Sequence, residues 1–319
     1  MAAITPLKFD LRRRQAVFFG LVAWLVVANG AQLLARSVDA KLTHPPTAQA
    51  VYVAKPSQLP LGGRVLAGQY RLVALYGVTT SPSLGALGEQ GLSASVRRID
   101  KIAKKYQAYS QQKIMPTFEL IASVASASPT RDHDYSKEAS ISSLRSIISY
   151  AVKHHIYVVL DLQPGRDDFL TQAKHYRELL AYPNVGLALD PEWRLKPHQL
   201  HLRQIGSVSA GEVNRTAAWL AQLVKTKQLP QKVFLLHQFR TSMIGRRTQL
   251  ETHKELMTII QMDGQGSQGA KLGSWRAVRV GAPTGIYFGW KNFYDEDQPT
   301  LSPKRTMALK PQPWYVSYQ

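Results

Sequence analysis

The chain contains no cysteine. That absence excludes a disulfide framework, a thiolate zinc site, a thiol nucleophile and an acylated lipobox cysteine. Acidic residues are scarce too, 21 Asp and Glu against 40 Lys and Arg, for a formal net charge of +19. A surplus of that size points to anionic partners, and with no nucleic-acid-binding motif beside it, DNA and RNA are not expected among them. No Gly-rich phosphate loop follows the first predicted strand and no H-E-x-x-H occurs, so dinucleotide folds and helical zinc hydrolases are not indicated.

Long apolar runs are missing everywhere but one place. Residues 16–28 (AVFFGLVAWLVVA) are unbroken apolar sequence, and continuing to Ala35 gives about twenty residues, enough to span a bilayer. Lys8, Arg12, Arg13 and Arg14 precede the run, which places a basic tail, 1–14, in the cytoplasm and the rest of the chain outside. The expectation is a single-pass cell-membrane anchor over 15–35 with an extracytoplasmic domain. A signal peptide cleaved after Val38-Asp39-Ala40, giving a secreted domain, is the alternative. Residues 36–69, rich in Pro and Gly, read as a linker.

From 70 to 319 short apolar runs alternate with helix-length segments, the pattern of a parallel sheet with crossover helices. Eight strands are predicted: 71–77, 114–120, 157–163, 185–190, 233–239, 258–264, 286–290 and 314–318. Helices are predicted over 93–109, 140–154, 169–180, 210–225 and 248–256, with weaker candidates over 271–278 and 303–309. Ser209 and Glu212 have capping-box spacing at the entry to 210–225. The fold class is α/β, a single (β/α)8 TIM-type barrel, with an open doubly wound sheet as the alternative.

In such a barrel the chemistry sits at the carboxyl ends of the strands. There the sequence places Tyr76, Glu119, Asp161, Gln163, Asp190, Glu192, His237, Gln238, Asp263, Trp290 and Lys291, with Arg166 and Trp193 just beyond. The stretch NVGLALDPEW, 184–193, is the strongest signal: two acids two apart after an apolar strand should point the same way. Crowded buried carboxyls shift their proton affinities apart, and split affinities are what acid–base catalysis uses. Cleavage of a glycosidic bond is the reaction that fits best. Glu192 is expected as general acid, tuned by Asp190, with Asp161 or Glu119 as base or stabiliser. Tyr76, Gln163, Arg166, Trp193, His237, Gln238, Asp263, Trp290 and Lys291 are expected to contact substrate. No cofactor is expected, although Glu119, Asp161, Asp190, His237 and Asp263 together could hold a divalent metal in a phosphodiesterase or deacetylase. A non-catalytic barrel that binds cell-wall glycan is the other alternative.

The segment LALDPEW resembles the fourth-strand signature of family-18 chitinase-type glycosidases, D-x-x-D-x-D-x-E, at its tail only: Val185 to Ala188 stand where two further aspartates would be. The same D-x-E strand end is similar to family-25 lysozymes. Over most of 70–319 the chain resembles a family of secreted or lipid-anchored bacterial barrel proteins without an established activity. LYG (75–77), LGALGEQG (84–91), PTFELIASVA (116–125), LDLQPGRDDFL (160–170), LALDPEWRL (187–195), IGSVSAGEVN (205–214), LPQKVFLLHQF (229–239) and KNFYDED (291–297) carry it. The resemblance implies a barrel and export. The expected partners are therefore a polysaccharide or an anionic cell-envelope polymer, and the membrane through the N-terminal segment. The pairs Arg97-Arg98, Lys104-Lys105, Arg246-Arg247 and Lys304-Arg305 read as a solvated basic exterior.

Overall fold

A computed structural model describes residues 57–319. The expected basic tail, the 15–35 anchor or signal and most of the 36–69 linker lie outside the described residues. Among the described residues no helix is long and apolar enough to cross a membrane.

The described residues form eleven strands in chain order: β1 (Tyr70–Gly77), β2 (Lys113–Ala125), β3 (Ser136–Glu138), β4 (Tyr157–Leu162), β5 (Val185–Leu189), β6 (Val208–Ser209), β7 (Lys232–Gln238), β8 (Ile244–Gly245), β9 (Leu256–Met262), β10 (Tyr287–Asn292) and β11 (Tyr315–Tyr318). Eight of them, β1, β2, β4, β5, β7, β9, β10 and β11, pair in parallel in that order, and β11 returns to β1. The sheet therefore closes into an eight-stranded parallel barrel, and the open-sheet alternative does not apply. β3 adds antiparallel to the end of β2, and β6 pairs with β8 in a separate ribbon.

The helices are α1 (Leu92–Gln107), α2 (Ile141–Lys153), α3 (Phe169–His175), α4 (Arg177–Leu180), α5 (Ala210–Thr226), α6 (Gln268–Arg279) and α7 (Pro303–Met307). The cap at α5 forms by half: Ser209 Oγ accepts from the Glu212 amide at 3.1 Å. The Glu212 carboxylate turns away to the Phe169 amide and to Arg194. The predicted helix over 169–180 breaks at Tyr176, whose hydroxyl is anchored on the carbonyls of Ala122 and Ala139. The predicted helix over 248–256 does not form. Only a 3-10 turn, Arg247–Gln249, is present, because the Asn214 side chain takes the Gln249 carbonyl and the Glu251 amide, groups a helix would pair internally.

Alternation along the strands divides the apolar residues into two cores. Leu72, Ala74, Met115, Val159, Ala188, Leu235 and Ile259 fill the barrel interior. Val73, Leu75, Phe118, Leu160, Leu187, Leu236 and Ile260 face the helix layer. Residues 57–69, assigned to the linker by composition, instead pack across the N-terminal end of the barrel. Leu59 and Leu66 join the interior core, each contributing about 2 kcal/mol by burial. Arg64 ties the segment down through the carbonyls of Ser57 and Gln228. This end is the floor, and the strands' carboxyl ends form the mouth.

Candidate active site at the barrel mouth

The last inward-facing residue of each strand decides what lines the mouth. On β1 it is Tyr76, on β4 Asp161, on β7 His237 and on β10 Lys291; Glu119 faces inward beside Tyr76 on β2, which runs on past it, and Asp190 and Asp263 directly follow β5 and β9. All seven are buried, Asp263 being the most exposed at 7%.

His237 is the hub. Its Nε2 lies 2.8 Å from Glu119 Oε1 and its Nδ1 2.9 Å from Asp263 Oδ2. Burial opposes its positive charge, but the carboxylates of Asp263, Glu119 and Asp161 outweigh burial and hold its pKa well above the usual histidine value. The imidazolium then donates through both nitrogens. Asp263 also meets the Lys291 ammonium at 3.2 Å. Burial raises its pKa, yet Lys291 and His237 together pull it below the usual aspartate value. Lys291 Nζ sits 3.5 Å from the centre of the Tyr76 ring, a cation–π contact that gives the ammonium a second face of support.

Two further carboxyls face the other way electrostatically. Asp190 is driven well above the ordinary aspartate range by burial, reinforced by the charges of Asp161, Glu192 and Asp263 and offset in part by His237. Asp161 is pushed to about 6, mainly by burial and by Glu119, against the pull of His237 and Lys291. Its Oδ2 accepts from the Tyr76 hydroxyl at 3.1 Å. Its Oδ1 is fully buried without a hydrogen-bond partner, 3.7 Å from His237 Nε2. A buried acceptor of that kind carries a cost of about 1–3 kcal/mol unless something donates to it.

The structure gathers some of the expected site residues and disperses others. Glu119, Asp161, His237, Asp263, Lys291 and Tyr76 form one network. Gln163 supports it from the rim, its Oε1 accepting from the Ala125 amide and its Nε2 donating to the Tyr76 hydroxyl. Asp190 and Glu192 do not continue one strand: β5 ends at Leu189 and Pro191–Trp193 form a 3-10 turn. Asp190 Oδ1 caps that turn by accepting the Glu192 amide at 3.1 Å, and Glu192, 9% exposed, sits on the turn above it. The turn is held from behind by Gly206, whose amide donates to the Glu192 carbonyl. A Cβ there would lie 2.5 Å from the carbonyl oxygens of both Arg194 and Glu192. Trp193 packs on His201 at 5.4 Å between ring centres. Arg166 stacks on Tyr135 and donates to the Gln199 carbonyl, binding rim loops together.

Gln238 and Trp290 are not in the mouth. Each neighbours an inward residue, so alternation turns it to the helix layer. Gln238 bonds to the carbonyls of Arg240 and Thr241 and accepts from Arg247. Trp290 packs on Trp275 of α6 and donates to Asn292. Conversely, the mouth contains Tyr315, which the sequence reading passed over. Its hydroxyl, held protonated by burial and by the nearby Glu119 charge, donates to Glu119 Oε2 at 3.0 Å. Two residues nearer the carboxyl end of the same strand, Ser317 bonds to Gln261 across the β9 and β11 interior faces. The spacing of Tyr315 and Ser317, two apart on the closing strand, was the available signal.

Among the described residues no group of three or more His, Asp or Glu is arranged to hold a metal ion. A comparison with protein-family signatures and with curated protein sequences gives no match to this chain.

Proposed function

We propose that this protein is a glycoside-hydrolase-like barrel that cleaves cell-envelope or extracellular polysaccharide by carboxyl acid–base catalysis. One observation carries the reading: neighbouring buried carboxyls hold their protons with unequal strength, Asp190 tightly, Asp161 at about 6, Asp263 weakly. Glycosidic cleavage requires that division, since one carboxyl must give a proton to the leaving oxygen while another is ionised. In this reading Glu192, on the rim, donates its proton to the leaving oxygen, and Asp190 beneath it, which keeps its own proton, tunes Glu192. Asp161, ionised above about pH 6 and with its Oδ1 unpartnered, takes the proton that the attacking water gives up, and that proton replaces the one Glu192 has delivered once the product leaves. His237 and Lys291 balance the charge as it moves.

A binding-only barrel is favoured by one feature, the small exposure of the cluster, in which no side chain exceeds 9%. Incubating the full chain with purified cell-wall polysaccharide and measuring new reducing ends separates the two. Release that Glu192→Gln abolishes without loss of thermal stability, and that survives chelation, supports the hydrolase. Salt-reversible pelleting with the wall and no release overturns it in favour of the binding barrel.

A further inference from the structure

We propose that a cavity on the outer side of β7, separate from the mouth, binds a phosphate group. The proposal is independent of the chemistry at the mouth.

Among the described residues β7 and β9 are joined by 3-10 turns and the two residues of β8, whereas each other connection between neighbouring barrel strands contains an α-helix. The helix layer therefore has no member between α5 and α6. The chain that crosses this gap, 241–248, leaves a cavity of about 400 Å³ against Val280 and Gly281, which follow α6. Thr241, Ser242, Arg246, Arg247 and Thr248 border it, and no acidic residue does.

The pair Arg246-Arg247, expected from sequence to be solvated exterior, divides. Arg246 is exposed, but Arg247 is only 8% exposed. A left-handed backbone at Arg246, φ 54°, turns the chain between β8 and the 3-10 turn, and both arginines border the cavity. Arg247 donates from Nη1 to Gln238 Oε1 at 3.2 Å and to the Val278 carbonyl at 2.8 Å, and from Nη2 to the Val280 carbonyl. A cation at the carboxyl end of α6 complements the helix dipole, which accounts for the two carbonyl bonds.

Two features remain beyond that role. Three of the five N–H groups of Arg247 are used, so Nε–H and one hydrogen of Nη2 have no acceptor among the described residues. All of its partners are also neutral: burial lowers its pKa, and no carboxylate raises it. A buried guanidinium without a counter-charge, with donors to spare beside a cavity, is stabilised by an anion. A tetrahedral oxyanion suits these donors better than a planar carboxylate. Guanidinium forks grip two of its oxygens, and the hydroxyls of Thr241, Ser242 and Thr248 border the same space for the others. Two guanidinium charges match the charge of about −2 that a phosphate group carries near neutral pH.

Calorimetric titration of the full chain in detergent with inorganic phosphate tests the site. Acetate at matched ionic strength is the control anion, and a glycerol phosphodiester polymer is a second arm. One saturable site for phosphate that acetate does not fill is expected. Arg246→Gln, at an exposed side chain, should weaken it about 30-fold, the loss of one charged hydrogen-bonding partner. Arg97→Gln, equally exposed on α1, should leave it unchanged. Arg246→Gly accepts the left-handed turn without steric cost and should lose the phosphate to the same extent with the circular dichroism spectrum intact. Binding of the polymer but not of free phosphate, again lost in Arg246→Gln, assigns the site to phosphodiester chains. No saturable binding of either, an equal response to acetate, binding untouched by both Arg246 changes, or an equal loss in Arg97→Gln would each overturn the proposal.

Discussion

Replacing Asp161 by Asn should make the protein more stable at neutral pH, and the size of the gain follows from the site. Asp161 is fully buried, and its pKa rises from 3.8 to about 6 on folding. The folded state therefore holds the proton more tightly than the unfolded chain. The stability this contributes is complete below pH 3.8 and is lost as pH rises through 6, so between those values stability falls with pH. The loss is about 3 kcal/mol, at about 1.4 kcal/mol per unit. An asparagine stays neutral throughout and keeps the acceptor for the Tyr76 hydroxyl. Its amide donors, however, would face His237 near the place where Oδ1 now lies at 3.7 Å, a repulsion that removes part of the gain. A net stabilisation of about 2 kcal/mol at pH 7.5 remains, or about 4–8 °C in melting temperature for a domain of this size. At pH 4 the two proteins should differ little. Urea melts of both proteins at pH 4, 6 and 7.5 give the comparison directly. An Asn variant that is less stable at pH 7.5, or shifted equally at every pH, would refute the electrostatic account of the cluster.

Other positions test other parts of the structure. Lys232 is fully buried at the start of β7, donating to the carbonyls of Tyr182 and Val185, and burial lowers its pKa to about 7. The unfolded chain binds that proton more tightly, so wild-type stability should rise between pH 7 and 10.5, and Lys232→Met should flatten the rise. Identical pH profiles in denaturant melts would contradict this. Trp290→Ala, emptying a site between β10 and α6, should cost about 3–5 kcal/mol in urea melts and leave the His237 ring resonances in place. Movement of those resonances would put Trp290 in the mouth after all.

The barrel was legible because its strands are buried on both faces and so read as continuous apolar runs between turn signals. All eight predicted strands form, with ends displaced by a few residues. The helix over 248–256 was illegible for a physical reason that local sequence does not contain. The Asn214 side chain, on α5, claims the backbone groups of that segment across the fold. The 57–69 segment misled for a related reason: its glycines and prolines look like linker, and only the closed barrel supplies the cavity that Leu59 and Leu66 fill.

At the mouth, sequence indicated the residue types well and their direction poorly. At the ends of β7 and β10 two candidates stood side by side, His237 with Gln238 and Trp290 with Lys291, and a strand can send only one of each pair inward. Side-chain size was the clue. Interior positions narrow toward the barrel axis, and the parity that carries Ala74, Gly186, Ala188 and Gly289 also carries Tyr76, Asp190 and Lys291. At Gly289 a Cβ would already stand 3.0 Å from the Tyr315 carbonyl, so bulk there must point outward, as Trp290 does. The same parity picks Tyr315 on the closing strand and with it the donor to Glu119. The interior row thus brings four carboxyls, one imidazole and one ammonium within reach of one another, and their repulsion is relieved unequally. Asp263 is satisfied by two cations, whereas Asp190 is relieved by keeping its proton. Asp161 is left between them with an oxygen that no side chain serves. That buried oxygen costs the fold stability that an apolar residue or a hydrogen-bonded neighbour would not cost, which is why the gain expected of Asp161→Asn measures the cluster's electrostatics directly.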